Sequence, residues 1–331
     1  MSTVDLKPKD LKSDQEVRWC PGCGDYSILN SMQSVLADTG LKKEDMCIIS
    51  GIGCSSRFPY YMGTYGFHGI HGRALAVASG TKTANPDLSV WVVTGDGDCM
   101  SIGGNHFIHA LRRNVDVKIL MFNNQIYGLT KGQYSPTTPA GQVTKTSPFG
   151  VVDSPFHPLN LALGSGASFV ARTMDTQPKH MKKILKAAAE HKGSAFVEIW
   201  QNCVIFNDGC WKEWTTKEVR DERTIDLVPG QPLIFGDDLD KGLHVECCEA
   251  SVVGTDEATT WKADTESPVP GFLMSQLDNE TDLPHAIGIF RQVDQPIYDE
   301  LVNEQVAQVT EKKGAGTLED LIYTPDAWKV D

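Results

Sequence analysis

Short apolar runs alternate with amphipathic segments along the first two thirds of the chain. Five runs are rich in β-branched and other apolar residues and are typical of buried strands: residues 46–49, 88–94, 117–122, 168–174 and 195–200. Between or before them, apolar residues recur at helical spacing over residues 25–40, 72–85, 104–113 and 178–191. Strands that alternate with helices predict an α/β fold with a mostly parallel, doubly wound sheet covered on both faces.

The pattern weakens beyond about residue 228. The remaining sequence is acidic and rich in turn residues, apart from one amphipathic segment over residues 297–309. We therefore divide the chain into an N-terminal arm (1–18), one main domain (19–228) and an irregular C-terminal extension (229–331). Ligands of parallel sheets bind at the carboxyl ends of the strands, so candidate chemistry is sought there.

Composition and charge narrow the classes of function. The net charge of -13 argues against a nucleic-acid or anionic-membrane surface, because both need clustered Lys and Arg. The first eighteen residues contain no apolar core of a signal peptide, and no apolar run is long enough to span a membrane. We expect a cytoplasmic protein whose nine cysteines serve metal or redox chemistry rather than disulfides.

Two strand ends carry polar motifs in register with each other. The strand over residues 88–94 runs into Gly95-Asp96-Gly97-Asp98, and the next one ends at Asn123-Asn124. Paired glycines let backbone N–H groups approach a diphosphate, and a carboxylate beside them suits Mg²⁺. A Gly-Asp-Gly turn alone is common, but the second strand end favours a cofactor site. The pair resembles the thiamine-diphosphate enzyme signature, which implies Mg²⁺ ligands at the Asp96 side chain, the Asn124 side chain and the Ile126 carbonyl.

The pair Cys20 and Cys23 allows three interpretations. A thioredoxin-like redox pair needs an apolar strand directly before it, whereas the upstream residues here are charged and include proline. A zinc site needs two further ligands. An iron–sulfur cluster needs two more thiolates, and Cys54 in the GIGC turn together with Cys210 in the loop after the last strand are candidates.

Taken together, the motifs resemble one family. WCPGCG, SGIGCSSRFP, HGIHGRA, TGDGD and NNQIYGLTKGQYSPTT occur in this order between residues 17 and 215, followed by a later cysteine. This set is similar to the β subunit of 2-oxoacid:ferredoxin oxidoreductases. The resemblance implies a thiamine-diphosphate-binding sheet and one [4Fe–4S] cluster on Cys20, Cys23, Cys54 and Cys210. Cys203, seven residues before Cys210, is the alternative for the fourth position.

The other thiols are interpreted as buried or incidental, because free cysteine is among the most buried residue types. They are Cys47, Cys99, Cys203, Cys247 and Cys248.

The resemblance also implies residues that face the cofactor and substrate. The expected cofactor-binding residues are Gly53, Cys54, Ser55, His71, Gly95, Asp96, Gly97, Asp98, Asn124, Ile126, Tyr127, Gly128, Leu129 and Thr130. His71, Arg57 and Lys131 are the candidate catalytic residues, although a core histidine and two surface cations are the plain alternatives. A guanidinium offers a planar fork for a carboxylate, so Arg57 favours the dicarboxylic 2-oxoglutarate over pyruvate.

The implied reaction is oxidative decarboxylation of a 2-oxoacid with coenzyme A, which yields an acyl-CoA, CO₂ and electrons for ferredoxin, and which can run in reverse toward CO₂ fixation. Only the diphosphate half of a thiamine site is found here, so an α subunit is expected to supply the pyrimidine half, in a dimer of αβ pairs. A non-oxidative thiamine enzyme with a structural zinc, and a non-enzymatic thioredoxin-like or zinc-binding module, remain the alternatives.

Overall fold

The computed structural model describes residues 4–247, 249–280, 282–324 and 326–328. Cys248 and the extreme ends of the predicted arm and extension lie outside these ranges. The strands are β1 Met46–Ser50, β2 Tyr65–His68, β3 Ser89–Gly95, β4 Val117–Asn123, β5 Ile126–Tyr127, β6 Gln133–Tyr134, β7 Phe169–Met174, β8 Ala195–Trp200, β9 Thr224–Leu227, β10 Ile234–Phe235, β11 Lys241–Glu246, β12 Glu249–Val253 and β13 His285–Gln292.

The helices follow the predicted amphipathic segments and add several short ones. They are α1 Asp25–Ala37, α2 Ala74–Ala84, α3 Asp96–Met100, α4 Gly104–Arg113, α5 Pro158–Gly164, α6 Pro178–Glu190, α7 Lys212–Thr215, α8 Arg220–Arg223, α9 Val269–Gln276, α10 Tyr298–Lys313 and α11 Leu318–Ile322. Proline begins α5 and α6, where its missing N–H has no helical partner to lose. No helix in the described ranges is long and apolar enough to cross a membrane.

An eight-stranded sheet forms the centre of the molecule, in the order β2-β1-β3-β4-β8-β7-β13-β9. The pairs from β2 to β7 are all parallel. All residues of β4, β7 and β8 are buried, which explains why these strands have continuous rather than alternating apolar patterns. The mostly parallel α/β sheet predicted from the sequence is confirmed, and each of its five predicted strands agrees within one residue.

The sheet does not end at the boundary placed near residue 228. Strand β13, from the predicted irregular extension, pairs antiparallel with β7, and β9 pairs parallel with β13. The remaining extension forms a small antiparallel sheet of β10, β11 and β12. The β13 residues are largely buried because both flanks of the strand are covered by neighbours. The C-terminal part therefore completes the main sheet, and the structural unit extends beyond residue 228.

Three parallel strands place the candidate motifs at one edge of the sheet. Strands β1, β3 and β4 are neighbours in register, with Ser50 opposite Val93 and Gly95 opposite Phe122. Because parallel strands share the direction of their carboxyl ends, the turns that follow them lie side by side. The site described next is built from these three turns.

Candidate active site

A cavity lies at the carboxyl ends of β1, β3 and β4. Its lining includes all of the predicted cofactor-binding residues: Gly53, Cys54, Ser55, His71, Gly95, Asp96, Gly97, Asp98, Asn124, Ile126, Tyr127, Gly128, Leu129 and Thr130. Asp25, Ile52, Phe122 and Gln201 line it as well. We call it the diphosphate cavity, after the group that its motifs predict.

Asp96 is one of three buried carboxylates that line this cavity, with Asp25 and Asp98, and 2% of its surface is exposed. One oxygen, Oδ2, accepts hydrogen bonds from the hydroxyls of Ser135 at 2.5 Å and Thr137 at 2.6 Å. Burial raises the pKa of Asp96 to about 6, because water is excluded from the charged form. A bound cation would offset that cost, so the carboxylate fits the role of a Mg²⁺ ligand.

Asn124 is held in one orientation by two groups. Its Oδ1 accepts from the backbone N–H of Ile126 at 3.2 Å, and its Nδ2 donates to Oε1 of Gln201 at 2.7 Å. The side-chain carbonyl is thereby distinguished from the amide nitrogen and keeps a lone pair for a further partner. A neutral oxygen ligand beside Asp96 matches the mixed oxygen coordination that Mg²⁺ prefers.

Gly97 is required by an aromatic ring that lies against it. A Cβ at this position would come within 2.3 Å of the Tyr127 ring. The Tyr127 hydroxyl donates to the carbonyl of Gly97 at 2.8 Å, which ties the turn after β3 to the segment after β4. The glycine thus allows close approach of two segments, and the polar backbone of the turn remains next to the cavity.

Asp98 joins the other turns of the cavity. Its Oδ1 accepts from the backbone N–H groups of Gly72 at 2.7 Å and Ile52 at 3.1 Å, and it lies 2.7 Å from Nδ1 of His71. Its Oδ2 accepts from the Thr94 hydroxyl at 2.8 Å. Both oxygens are thus occupied by the chain itself, so Asp98 organises the cavity wall and orients His71 rather than offering a free ligand.

A second cavity of about 280 Å³ adjoins the first. Four cysteines line it, namely Cys20, Cys23, Cys54 and Cys203, and we call it the thiol cavity. It shares part of its wall with the diphosphate cavity: Asp25, Cys54, Asn124, Gly128, Leu129 and Gln201 line both. The turn that carries the metal-site motif and the cysteines therefore lie next to each other.

The segment after the NN motif lies directly against two of the sulfurs. A Cβ added to Gly128 would lie 3.3 Å from Sγ of Cys203 and 4.0 Å from Sγ of Cys54. The backbone that follows Ile126 therefore separates the two cavities by little more than its own width. Groups bound in the two cavities would therefore lie close to each other.

Cys210 is placed differently from its prediction as the fourth ligand. It does not line the thiol cavity, and its Sγ makes only a long contact of 3.9 Å, to the carbonyl of Gln201. Cys203, which the sequence grouped with the incidental thiols, takes the position beside Cys54. The loop after β8 turns back between Cys203 and Asn207, which form an isolated bridge, and Asn207 donates to the carbonyl of Asn124.

Two thiols of the cavity, Cys23 and Cys54, are hard to ionise without a positive partner. Burial, followed by nearby Asp25, raises the pKa of Cys23, and the same two causes raise the pKa of Cys54 to about 12. The sulfur of Cys203 further raises the pKa of both thiols. Thiolates are the ligands of iron–sulfur clusters, and the charge of the iron stabilises them. The donor set therefore fits a cluster.

In the described part of the chain, no three His, Cys, Asp or Glu side chains are grouped so as to hold one metal ion. This does not conflict with either site. A four-iron cluster is held by thiolates distributed around it, and diphosphate-bound Mg²⁺ combines one carboxylate with neutral oxygens.

Arg57 and Lys131 line the thiol cavity, whereas His71 lines the diphosphate cavity. The Nε of Arg57 donates to the Tyr61 hydroxyl at 2.9 Å, and its guanidinium lies 5.3 Å from the centre of the Tyr60 ring. Lys131 has a left-handed backbone, with φ of 79°, in the turn after Gly128. Strained backbone of this kind is concentrated at functional sites. Both cations thus lie beside the shared wall.

Three side chains that contact or line the two cavities were not predicted from the sequence, and a fourth was named only as the alternative to Cys210. They are Ser135 and Thr137, which bond Asp96, Gln201, which bonds Asn124, and Cys203. Ser135 and Thr137 lie in the YSPTT end of the NNQIYGLTKGQYSPTT motif, so their hydroxyls could have been predicted as site groups. Gln201 follows the end of β8, the strand next to β4, and that position also predicts a site residue.

The fold and site together define a thiamine-diphosphate-binding domain. Residues 51–199 match the family model described as the C-terminal TPP-binding domain of thiamine pyrophosphate enzymes. The matched range begins directly after β1 and ends in β8, so it includes β3, β4 and the three turns that line the diphosphate cavity.

Comparison with individual proteins narrows the class. A Mycobacterium tuberculosis protein named 2-oxoglutarate oxidoreductase subunit KorB is 50% identical over 333 residues, which cover 98% of this chain and 89% of that protein. The Archaeoglobus fulgidus 2-oxoglutarate synthase subunit KorB is 46% identical over 56% of this chain and 69% of its own length. The chain belongs to the family of β subunits of 2-oxoglutarate:ferredoxin oxidoreductases.

A solved structure agrees with this assignment. The 2-oxoglutarate:ferredoxin oxidoreductase from Magnetococcus marinus, solved with 2-oxoglutarate, coenzyme A and succinyl-CoA bound, is 33% identical to this chain. The match has a TM-score of 0.75 and covers 97% of this chain and 96% of that one. It therefore includes the C-terminal strands as well as the thiamine-binding domain.

Proposed function

We propose that this chain, together with an α subunit, oxidatively decarboxylates 2-oxoglutarate with coenzyme A to succinyl-CoA and CO₂. The two electrons released pass one at a time through a [4Fe–4S] cluster on this chain to ferredoxin. The single observation that carries the proposal is the shared wall of the two cavities, which includes Cys54 and Asn124. A reversible electron carrier of low potential would also allow the reaction to run toward CO₂ fixation.

On the diphosphate side, the Asp96 and Asn124 side chains and the Ile126 carbonyl would hold Mg²⁺. The hydroxyls on one oxygen of Asp96 and the fixed amide of Asn124 support this assignment. Thiamine diphosphate, when bound, supplies the electron sink that lets a 2-oxoacid lose CO₂. The chain's part is to fix the diphosphate and, through Asp98, to hold His71 in position beside it.

On the thiol side, Cys20, Cys23, Cys54 and Cys203 would hold the cluster, with Cys203 in place of Cys210. All four cysteines line the cavity, and the sulfur of Cys203 raises the pKa of Cys23 and of Cys54, which places it near both; these observations support this set. The cluster, when bound, supplies a one-electron acceptor. Cys20 is exposed, so this side offers a short route for electrons toward a ferredoxin.

Arg57 and Lys131 would bind the carboxylates of the substrate. Both are cations beside the wall that the two cavities share, and 2-oxoglutarate carries two carboxylates. Pyruvate has only one, so the second cation favours the larger substrate.

A partner would cover the mouth of the diphosphate cavity. Leu129, which lines the cavity, is 52% exposed, and two further exposed apolar residues lie near His71: Ile70 precedes it in sequence and is 70% exposed, and Ile102, next to Gly72, is 51% exposed. Clustered exposed apolar residues mark interaction surfaces. An α subunit that docks there would complete the site with the pyrimidine half, within a dimer of αβ pairs. Free thiols in the cavity are consistent with a reducing, cytoplasmic setting.

The metal content of the anaerobically purified complex tests the proposal. We expect a brown protein with about four irons and four sulfides per copy of this chain, because four thiolates bind one [4Fe–4S] cluster. Iron, sulfide and zinc are measured on the same sample. A colourless protein with stoichiometric zinc would support a non-oxidative thiamine enzyme instead.

Arg57→Ala tests the substrate assignment. Loss of a charged hydrogen bond costs about 1.5–3 kcal/mol, so the KM for 2-oxoglutarate is expected to rise about tenfold or more. The KM for pyruvate is expected to change less, since pyruvate has no distal carboxylate. Steady-state kinetics with both substrates measure the difference, and Arg112→Ala, an exposed arginine on α4, serves as the control. Equal effects on the two substrates would remove the reason for preferring 2-oxoglutarate.

A further inference from the structure

Gln201 occupies the position between the two cavities. It directly follows β8, only 1% of its surface is exposed, and it lines both the diphosphate cavity and the thiol cavity. Its backbone N–H donates to the carbonyl of Asn123 at 3.0 Å, which continues the pairing of β4 with β8 by one residue. The side chain therefore starts from a fixed point on the sheet.

Both the oxygen and the nitrogen of the Gln201 side-chain amide form hydrogen bonds, and each contacts a different site. Its Oε1 accepts from Nδ2 of the proposed metal ligand Asn124 at 2.7 Å. Its Nε2 donates to the carbonyl of Asn202 at 2.6 Å and to Sγ of Cys23, a proposed cluster ligand, at 3.3 Å.

Backbone groups at both ends fix the direction of this chain of hydrogen bonds. The Ile126 N–H can only donate, so the Asn124 carbonyl oxygen must face it. The Asn202 carbonyl can only accept, so the Gln201 nitrogen must face Asn202 and, beside it, Cys23.

We propose that Gln201 is a positioning residue that couples the two cofactor sites, holding Asn124 through its amide oxygen and raising the reduction potential of the cluster through its amide nitrogen. The inference rests on the proposed function, because it needs a cluster at Cys23. When one electron enters a cluster, its negative charge grows by one. An N–H donor at a ligand sulfur stabilises that added charge and so favours reduction, without any transfer of a proton.

Two substitutions separate the ends of the amide. Gln201→Glu keeps an oxygen for Asn124 but removes the donor to Cys23, whereas Gln201→Met has similar length and lacks both. Gln142→Met is the control, because Gln142 donates to Asn207 at 3.0 Å and does not line the thiol cavity. All are made in the full complex of this chain with its partner subunit, loaded anaerobically.

We measure the midpoint potential by redox titration followed by EPR, and the affinity for thiamine diphosphate with Mg²⁺ by calorimetry. Both Gln201 variants are expected to show an equilibrium constant for one-electron reduction about tenfold lower, a drop of about 59 mV. Affinity for thiamine diphosphate is expected to fall about tenfold in Gln201→Met only, as for loss of an outer partner of a metal ligand. Gln142→Met is expected to match the wild type in both.

Several results would overturn the inference. Unchanged potentials in both variants, with intact clusters, would exclude the amide contact and leave the proposed function in place. A drop in Gln201→Glu alone would trace to its added charge and equally exclude the hydrogen bond. A wild-type complex without an iron–sulfur cluster would overturn both proposals.

A measurement on the wild-type complex tests the hydrogen bond from Gln201 to Cys23 even if the Gln201→Met complex does not assemble. With ¹⁵N in the side-chain amides of glutamine, pulsed EPR of the reduced cluster is expected to detect a coupled nitrogen, lost in Gln201→Glu. Absence of that coupling in the wild type would overturn the inference.

Discussion

Asp96→Asn is expected to weaken the binding of thiamine diphosphate with Mg²⁺ by at least about 100-fold, because the substitution removes the anionic metal ligand. The fold is expected to persist, since an asparagine oxygen can still accept from Ser135 and Thr137. Calorimetry of the complex in the presence of Mg²⁺ measures the affinity. Asp38→Asn, at the exposed end of α1, is the matched control.

The same variant is expected to change thermal stability in opposite directions with and without cofactor. Folding raises the pKa of Asp96 from its ordinary 3.8 to about 6, so the ionised carboxylate destabilises the cofactor-free complex at neutral pH. This cost grows as pH rises through that interval and amounts to about 3 kcal/mol. Cofactor-free Asp96→Asn should therefore melt above the wild type, and with cofactor below it. Retained Mg²⁺-dependent affinity would contradict the metal assignment.

Cys203→Ser is expected to reduce the iron content of the anaerobic complex from about four iron atoms per chain to a small fraction of that number, because a cluster held by three thiolates is labile. A serine hydroxyl is a poorer ligand for iron than a thiolate, while its size is similar. Iron analysis and the EPR signal of the reduced cluster measure the loss. Cys54→Ser is expected to behave in the same way.

Cys210→Ser is the decisive comparison for this prediction. Since Cys210 does not line the thiol cavity, its replacement is expected to leave iron and the EPR signal unchanged. The reverse result, with iron lost in Cys210→Ser and kept in Cys203→Ser, would restore the ligand set first expected from the sequence.

The diphosphate cavity was predictable because strand geometry carries the information. Parallel strands bring their carboxyl ends to one edge, so two polar strand ends far apart in sequence, at Asp96 and Asn124, had to be neighbours in space. The CxxC pair and the GIGC cysteine, predicted as cluster ligands, line one cavity together. The bounds of the buried strands were predicted accurately because each of these strands is a largely continuous apolar run.

The fourth thiol was not predictable in this way. Cys203 and Cys210 lie in one loop, and the hydrophobic periodicity of the sequence does not predict which of two loop residues faces the cavity. The fold of the loop depends on contacts with distant residues, such as the bond from Asn207 to the Asn124 carbonyl. The hydroxyls that donate to Asp96 and the amide of Gln201 were not predictable for the same reason, because each of them joins segments that are distant in sequence and meet only in the folded chain.

The C-terminal strands were missed for another reason. The apolar run of strand β13, residues 286–290, is short, is interrupted by Gly288 with a φ of 95°, and is flanked by His285 and Arg291, so it gives a weaker strand signal than the central strands. The chain between β9 and β13 is long and contains the separate small sheet of β10, β11 and β12. A local sequence pattern does not reveal that two strands so far apart in the chain belong to the same sheet. The predicted amphipathic segment over residues 297–309, by contrast, corresponds to the N-cap, Ile297, and the first part of α10.

The antiparallel pairing of β13 with β7 limits how this protein can be shortened. A chain cut after residue 228 would keep every residue of both cavities but would leave β7 with unpaired backbone N–H and C=O groups along a flat, apolar edge. Such edges recruit strands from other molecules. A minimal, crystallisable fragment must therefore retain residues up to at least Gln292, and shorter versions are expected to precipitate on expression.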